Sequence, residues 1–210
     1  MEGSRLRILK LLQRHNRATV DWLSKEMGLA SATVRRHLDI LQRDQLVTFD
    51  QVKKKTGRPE YTYHLTEVGQ ETLPKEYDRL IVRLLNEISS ISKSDSRNLD
   101  GTGVLNLAFQ RMADRTLSEM STNALTTTKH RLAAAVAFLE KEKFEPEMQE
   151  TNGSVRILLH NCPYRSVALG NRAVCTYDHL VLSRILGSEA VQQGCIGAND
   201  DVCCYEVPAA

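Results

Sequence analysis

Apolar residues recur at helical spacing in two short segments at the start of the chain, which predicts two helices. The first is expected over residues 5–15, and its apolar side is formed by Ile8, Leu9 and Leu12. The second is expected to start at Thr19, whose hydroxyl can cap the first turn, and to stop at Gly28. Its apolar positions are Val20, Leu23 and Met27. A tight turn over residues 29–31 follows.

A third helix is predicted from Ala30 or Ser31, with a buried stripe formed by Val34, Leu38 and Leu41. Because that stripe faces the core, Thr33, Arg35 and Arg36 must point outward. Two helices joined by a tight turn, with basic side chains outward on the second, are typical of a helix-turn-helix whose recognition helix enters the major groove. The candidate DNA-contacting residues of this helix are Ser31, Thr33, Arg35 and Arg36.

The spacing then changes to alternation, with Val47 and Phe49 on one predicted strand and Tyr61 and Tyr63 on the next. Gly57 and Pro59 mark the turn between them, which carries four further basic candidates for DNA contact: Lys53, Lys54, Lys55 and Arg58. Three helices followed by such a hairpin predict a winged helix-turn-helix. A three-helix module that binds protein is the alternative, because fold alone does not prove DNA binding.

A longer helix is predicted after Pro74, where apolar residues alternate in steps of three and four. These residues are Tyr77, Ile81, Leu84, Ile88 and Ile91. Such a pattern indicates a dimer seam of about two heptads, and a helix packed on its own domain is the alternative. We therefore predict a homodimer.

The remaining chain begins with a polar, glycine-containing stretch over residues 92–103, predicted to be a linker. Helices are predicted over residues 104–120, 126–143 and 175–186, with a hairpin turning at Asn152 and Gly153 and two strands near 189–196 and 202–207. The predicted class is α+β. The predicted organisation is a winged helix-turn-helix over residues 1–73, a dimerisation helix over 74–95 and a cysteine-containing sensor domain over 96–210.

The charge is unevenly distributed along the chain. Residues 1–66 carry 13 Lys and Arg against 7 Asp and Glu, whereas residues 67–210 carry 15 against 19. The basic front indicates double-stranded DNA, an operator, as the partner. No apolar run reaches the roughly 18 residues of a membrane span, and the first ten residues lack the apolar core of a secretion signal, so we expect a cytoplasmic protein that does not insert into membranes.

All five cysteines fall between residues 162 and 204, and in a cytoplasmic chain such clustering suggests metal binding or redox chemistry before structural disulfides. The order is Cys162, twelve residues, Cys175, nineteen residues, Cys195, seven residues, Cys203, then Cys204. No pair is separated by two residues, so the fold would have to assemble any site. Thiolates suit an iron–sulfur cluster or zinc, and cysteines that merely fill the core are the alternative.

Strand parity separates the last two cysteines. Cys203 shares a face with Tyr205 and Val207, which is the more apolar face of the strand. We therefore expect Cys203 to point inward and to be the candidate ligand, with Cys204 as the second choice. His160 could be a ligand or an ordinary strand residue. Asp200 and Asp201 are expected to serve a turn, although a carboxylate could complete a three-cysteine site.

Several segments together resemble the iron–sulfur-responsive Suf-operon repressors and related bacterial winged-helix regulators. They are T-G-R-P-E-Y-T-Y-H-L-T-E-V-G-Q-E-T-L-P-K-E-Y-D-R-L, H-N-C-P-Y-R-S-V-A, V-C-T-Y-D-H-L-V-L-S-R-I-L-G and N-D-D-V-C-C-Y-E-V. The resemblance extends over nearly the whole chain. It implies a homodimeric DNA-binding repressor with a C-terminal iron–sulfur cluster, [4Fe-4S], that controls genes for cluster assembly.

The resemblance also implies ligands. Cys162, Cys175 and Cys203 match its motif cysteines, whereas the four-cysteine pattern would place its remaining cysteine near Glu189. Cys195 lies six residues further along and is the candidate fourth ligand.

Two alternatives stay open. The same cysteines could form a zinc or thiol-redox sensor in a DNA-binding regulator. A cysteine-dependent enzyme with Cys162 as nucleophile and His160 as base is the alternative of a different class, but the sequence offers no third group to orient the base, so we do not expect an enzyme.

Overall fold

The computed structural model describes residues 3–52, 60–120, 126–151 and 153–208. The chain forms two compact units, Met1–Pro74 and Lys75–Ala210. The predicted linker over residues 92–103 therefore lies inside the second unit. No helix in these four ranges is long and apolar enough to cross a bilayer.

The first unit consists of helices and a small antiparallel sheet. Its helices are α1 (Gly3–His15), α2 (Val20–Met27), α3 (Ser31–Arg43) and α4 (Glu67–Glu71). Its strands are β1 (Ala18–Thr19), β2 (Val47–Val52) and β3 (Glu60–Leu65), arranged in the order β1-β3-β2. One apolar core lies under the three long helices and the sheet, and it contains the three predicted stripes.

Local sequence explains where α2 begins and ends. The Thr19 hydroxyl accepts a hydrogen bond from the Trp22 N–H at 3.2 Å, as an N-cap does. Gly28 ends the helix with a φ of 67°, in the left-handed region that glycine enters without steric cost. The turn this creates leads directly into α3, which starts after Ala30.

The second unit places five helices against one antiparallel sheet. The helices are α5 (Tyr77–Ser90), α6 (Gly101–Glu119), α7 (Thr128–Lys141), α8 (Arg165–Gly170) and α9 (Cys175–Leu186). The strands are β4 (Pro146–Thr151), β5 (Ser154–Leu159), β6 (Val191–Gly194) and β7 (Cys203–Pro208), in the order β4-β5-β7-β6. Short 3₁₀ turns span Arg172–Val174 and Ile196–Ala198.

The sheet of the second unit presents alternate residues of β5 and β7 to the helices. The core side chains from these strands are Val155, Ile157, Leu159, Cys203, Tyr205 and Val207. Helices α6, α7 and α9 supply Phe109, Met112, Phe138, Leu139, Tyr177 and Leu182 to the same core. The predicted α+β class, with an N-terminal winged helix-turn-helix, is confirmed.

Two predicted elements differ in the structure. The strand expected near residues 189–196 is confined to Val191–Gly194, because its pairing with β7 is irregular between Gln192 and Gly194 and a 3₁₀ turn starts at Ile196. The predicted seam on α5 is also divided. Leu84 packs against the core of its own unit, whereas Ile81 and Ile88 are exposed.

Candidate DNA interface and cysteine cluster

Helix α3 presents its basic side chains to solvent. Val34, Leu38 and Leu41 are fully buried, so the opposite side of the helix carries the exposed Thr33, Arg35 and Arg36. Arg36 forms no ion pair with any residue that the structure describes. Ser31 is half-buried, and its hydroxyl accepts a hydrogen bond from Ser24 Oγ at 3.3 Å. The outward face expected of a recognition helix is therefore present.

The two strands that lead to the predicted wing pair along their whole length. Val47 lies opposite Leu65, and Val52 lies opposite Glu60. Phe49 and Tyr61 stack edge to face on this hairpin, with ring centres 4.9 Å apart. The basic candidates Lys53, Lys54, Lys55 and Arg58 lie outside the described residues, so their roles stay predictions.

The second candidate site is built from four cysteines on different segments. Cys162 follows β5, Cys175 begins α9, Cys195 follows β6 and Cys203 begins β7. Cys162, Cys195 and Cys203 belong to the buried core of the unit, and the half-buried Cys175 packs against it. We call these four residues the cysteine cluster. All described cysteines are free thiols.

Direct contacts connect the members of the cluster. The Sγ atoms of Cys175 and Cys195 are 3.9 Å apart. Cys203 hydrogen-bonds to Cys195 and also accepts a hydrogen bond from the Ile196 N–H at 3.2 Å. The Cys162 thiol lies close enough to interact electrostatically with the other three. Cysteines separated by up to 41 residues of sequence thus share one location.

The four thiols of the cysteine cluster differ in pKa. Burial raises the pKa of the Cys162 thiol to about 12 and also raises the pKa of Cys175. Cys203 and Cys175 donate hydrogen bonds to Cys195 and lower its pKa to about 5. The donated bond and burial raise the pKa of Cys203. Cys195 is therefore the thiol of the cysteine cluster that loses its proton most readily.

Asp178 is the carboxyl nearest this chemistry on α9. Burial raises its pKa to about 7, although the Tyr205 hydroxyl donates to it at 2.8 Å. Gln192 in turn donates to the Tyr205 oxygen at 3.0 Å. Asp178 is thus held in place by β6 and β7.

The other candidate ligands have structural partners. The His160 ring nitrogen Nε2 lies 3.2 Å from Glu147 Oε2, across the β4–β5 pair. Asp200 accepts a hydrogen bond from the Cys195 N–H at 2.8 Å, which is the turn role predicted for it, and Asp201 is exposed. Glu189, where the resemblance would place a cysteine, is exposed as well. Cys204 lies on the sheet face opposite the core, opposite Leu158 of β5.

The four cysteines are the right type of ligand for an iron–sulfur cluster or zinc, because thiolates bind both. Among the described residues, however, no group of three or more His, Cys, Asp or Glu side chains has an arrangement that could hold a metal ion. Cys175 and Cys203 each contact Cys195 directly. Cys162 also lacks the features of a nucleophile, since a pKa near 12 leaves it protonated and His160 is paired elsewhere.

A buried ion-pair network, which sequence reasoning missed, lies beside the cluster. Glu142 is 1% exposed and accepts from Arg83 through both carboxylate oxygens, at 2.9 and 3.2 Å. Arg79 lies 3.2 Å from the same carboxylate, and the Tyr164 hydroxyl donates to it at 3.2 Å. Arg83 also donates to the Tyr177 hydroxyl at 2.9 Å. We call these five residues the Glu142 network.

The Glu142 network joins α5 to both cysteine-bearing segments. Arg79 and Arg83 are on α5, Tyr164 is two residues beyond Cys162, and Tyr177 is two residues beyond Cys175. Glu142 itself follows α7 directly. The sequence signal for it is a pair of arginines four residues apart on α5, and Glu142 lies 59 residues beyond Arg83 along the chain.

Comparisons with known proteins bear on the first unit. Residues 1–48 match the family model described as winged helix-turn-helix DNA-binding. Among solved structures, the crystal structure of Bacillus subtilis PadR in complex with operator DNA matches at 18% identity and a TM-score of 0.32, covering 89% of this chain and 98% of that chain. No match is found among curated proteins. The family match identifies residues 1–48 as a winged helix-turn-helix DNA-binding domain, the kind that transcription regulators carry.

Proposed function

We propose that this protein is a dimeric transcription repressor that senses iron–sulfur or redox status through the cysteine cluster and controls genes for iron–sulfur assembly. The observation that carries the proposal is the meeting of Cys162, Cys175, Cys195 and Cys203 at one buried place in the unit that follows the DNA-binding domain. Four thiols brought together by four separate segments are more than a core needs for packing, for which an apolar side chain suffices.

The four cysteines would hold a [4Fe-4S] cluster, with Cys195 as the fourth ligand in place of a cysteine near residue 189. When bound, such a group makes the protein responsive to iron supply and oxidants. Thiols must lose their protons to bind a metal, and the raised pKa values of Cys162, Cys175 and Cys203 oppose that loss. Ligation would therefore release protons and strengthen as the pH rises.

The Glu142 network supports a route from the cluster to α5. A change in the positions of Cys162 and Cys175 moves the segments that carry Tyr164 and Tyr177, and both hydroxyls bond to the network. Arg79 and Arg83 transmit that change to α5 through Glu142. Binding at the cluster can shift such an equilibrium only if the two arrangements bind the group with different affinity.

Helix α5 also supports the homodimer. One side of it, with Leu80 and Glu87, is buried in its own unit, while another side exposes Ile81, Val82, Leu85 and Ile88, each 40 to 57% exposed. We call these four residues the α5 stripe. A second copy of the chain would cover this stripe, and two winged helices could then contact the two half-sites of one operator.

The test begins with anaerobic purification of the whole chain, followed by visible spectra and assays of iron, sulfide and zinc. We expect brown protein containing iron and sulfide in equal amounts. Operator fragments are then selected from genomic DNA, and the affinities of loaded and metal-free protein are compared at one salt concentration. Equal operator affinities for the two forms would contradict the proposed sensing function, even if the protein contains iron and sulfide.

A zinc or thiol-redox sensor is the second candidate, favoured by the 3.9 Å between the Sγ atoms of Cys175 and Cys195. A cluster of several irons separates its ligand sulfurs further than thiols in contact, whereas a single zinc ion or a disulfide requires them close together. Colourless protein containing zinc would support the zinc sensor. A disulfide between Cys175 and Cys195 after mild peroxide, found by peptide mapping, would support the thiol sensor.

A further inference from the structure

The second unit contains a cavity of about 350 Å³, distinct from the cysteine cluster. This volume falls within the range of about 300–1,000 Å³ found for small-molecule sites. Its lining residues come from α5, from the last turn of α6, from the second half of α7, and from the residues that directly follow α6 and α7. Its charged members are Arg83, Glu119, Lys141 and Glu142.

One wall of the cavity is apolar. Met120, Ala134 and Phe138 contribute it, and the small side chains of Ala134 and Ala137 leave the space open. An apolar ligand body of a few carbon atoms would be removed from water here, which favours binding.

The charges around the cavity are of both signs and balance. Arg83 is neutralised by Glu142 through two hydrogen bonds, so it is not available to a ligand as a free cation. Lys141 and Glu119 are exposed, and neither forms an ion pair with any described residue. The site therefore offers one free positive group and one free negative group beside an apolar wall.

Glu119 occupies a position that calls for a cation. It is the last residue of α6, where the helix dipole is negative and an additional carboxylate is unfavourable. An ammonium group bound there would offset both the carboxylate and the negative end of the helix dipole. Lys141 is the last residue of α7, where its ammonium group offsets the negative end of that helix, and because it is exposed it can also contact a carboxylate.

We propose that this cavity binds a free α-amino acid with an apolar side chain. Its ammonium group contacts Glu119, its carboxylate contacts Lys141, and its side chain packs on Met120, Ala134 and Phe138. Because Arg83 and Glu142 line the same space, the bound amino acid would lie against the Glu142 network. The inference does not depend on what the cysteine cluster holds.

Isothermal titration of the whole chain tests the ligand class. L-leucine is compared with 4-methylpentanoate, which lacks the ammonium group, and with 3-methylbutylamine, which lacks the carboxylate. We expect L-leucine to bind with a Kd below about 1 mM and at least about tenfold more tightly than either analogue. No heat from L-leucine, L-methionine or L-phenylalanine at millimolar concentrations, or equal affinity for an analogue, would overturn the proposal.

Substitutions test the location. Glu119→Gln and Lys141→Met should each weaken L-leucine binding about tenfold, whereas Glu140→Gln and Lys143→Met change exposed charges that do not line the cavity and should have no effect. Ala137→Phe fills the cavity from an exposed position and should abolish binding in a protein with unchanged circular dichroism. Retained binding in Ala137→Phe would place the ligand elsewhere. Iron, sulfide and zinc contents of these variants stay unchanged in either case, so the outcome is separate from that of the sensor proposal.

Discussion

The two units of this protein carry their candidate chemistry in opposite ways. In the first, Thr33, Arg35 and Arg36 lie within four residues of one another on one exposed helix face. In the second, the cysteine cluster is gathered from four segments between residues 162 and 203 and is buried. A DNA partner is met at the surface, so its contacts can be read from one helix. A buried thiol site depends on every element that brings its ligands together.

The difference also appears in what each site needs from its surroundings. Exposed arginines stay hydrated until DNA arrives and cost the folded domain little. Buried thiols and the buried Glu142 carboxylate need partners in the folded state, because an unpaired polar group in a core is costly. The second unit is therefore expected to be the more sensitive to single substitutions.

The largest effect is expected from Cys203→Ser, compared with Cys204→Ser at the next position. Serine is a harder and far less acidic ligand than cysteine, so loss of the Cys203 thiol should abolish binding of the proposed iron–sulfur group. Cys204 lies on the other face of β7, and its replacement should leave the visible spectrum and iron content unchanged. Serine at Cys162, Cys175 or Cys195 should behave like serine at Cys203. Equal iron contents for the Cys203 and Cys204 variants would contradict the assigned site.

The next effect concerns the Glu142 network. Glu142→Ala removes the partner of Arg79, Arg83 and the Tyr164 hydroxyl, and loss of one member of a buried ion pair typically costs about 3–5 kcal/mol. The two arginines keep about a quarter to a third of their side-chain exposure, so we expect the lower part of that range. Glu140→Ala is the control, because Glu140 lies two residues from Glu142 and is exposed.

The chain supplies a separate probe for each unit. Its only tryptophan, Trp22, is in the first unit, and all five cysteines are in the second. In urea, thiol labelling of Glu142→Ala should start at lower concentration than in the parent protein, while the Trp22 fluorescence curve stays in place. A shift of the Trp22 curve by the same amount would show that the units unfold together.

Sequence reasoning was accurate where local patterns decide structure. The three stripes of the first unit and the position of α9 follow from apolar spacing and from the caps at Thr19, Gly28 and Gly187. It failed where tertiary contacts decide. The Glu142 network pairs residues 59 positions apart, and no periodicity indicates such a partner. The sequence does not decide between Cys195 and a carboxylate as the fourth ligand, because the position of Cys195 depends on the irregular end of β6.

A third effect concerns the dimer contact predicted on α5, whose residues lie on two faces of the helix: Leu84 packs against its own unit, whereas Ile81 and Ile88 are exposed. Polar substitution of the α5 stripe, Ile81→Glu with Leu85→Glu, should yield a folded monomer, because both side chains are exposed. Losing the second half-site contact should then weaken operator binding by about 100-fold or more. Val68→Glu changes a similarly exposed apolar residue of the first unit and serves as the control. Light scattering that still shows a dimer for the double variant would place the dimer contact elsewhere.

The smallest effect separates two kinds of basic residue within the first unit. Arg36 is exposed on α3 without an ion pair to any described residue, and if it contacts a base edge, Arg36→Ala should cost about 1–3 kcal/mol on the operator and much less on random DNA. Lys54, in the predicted wing, is expected to contact phosphate, which carries no sequence information. Lys54→Ala should therefore weaken both DNAs alike and reduce the slope of log K against log salt by about 0.9. Lys93→Ala, an exposed lysine of the second unit, should change neither quantity. If Arg36→Ala and Lys54→Ala both weaken binding to operator and random DNA equally, Arg36 does not recognise a base. The DNA-contacting residues of the first unit would then not be predictable from α3 alone.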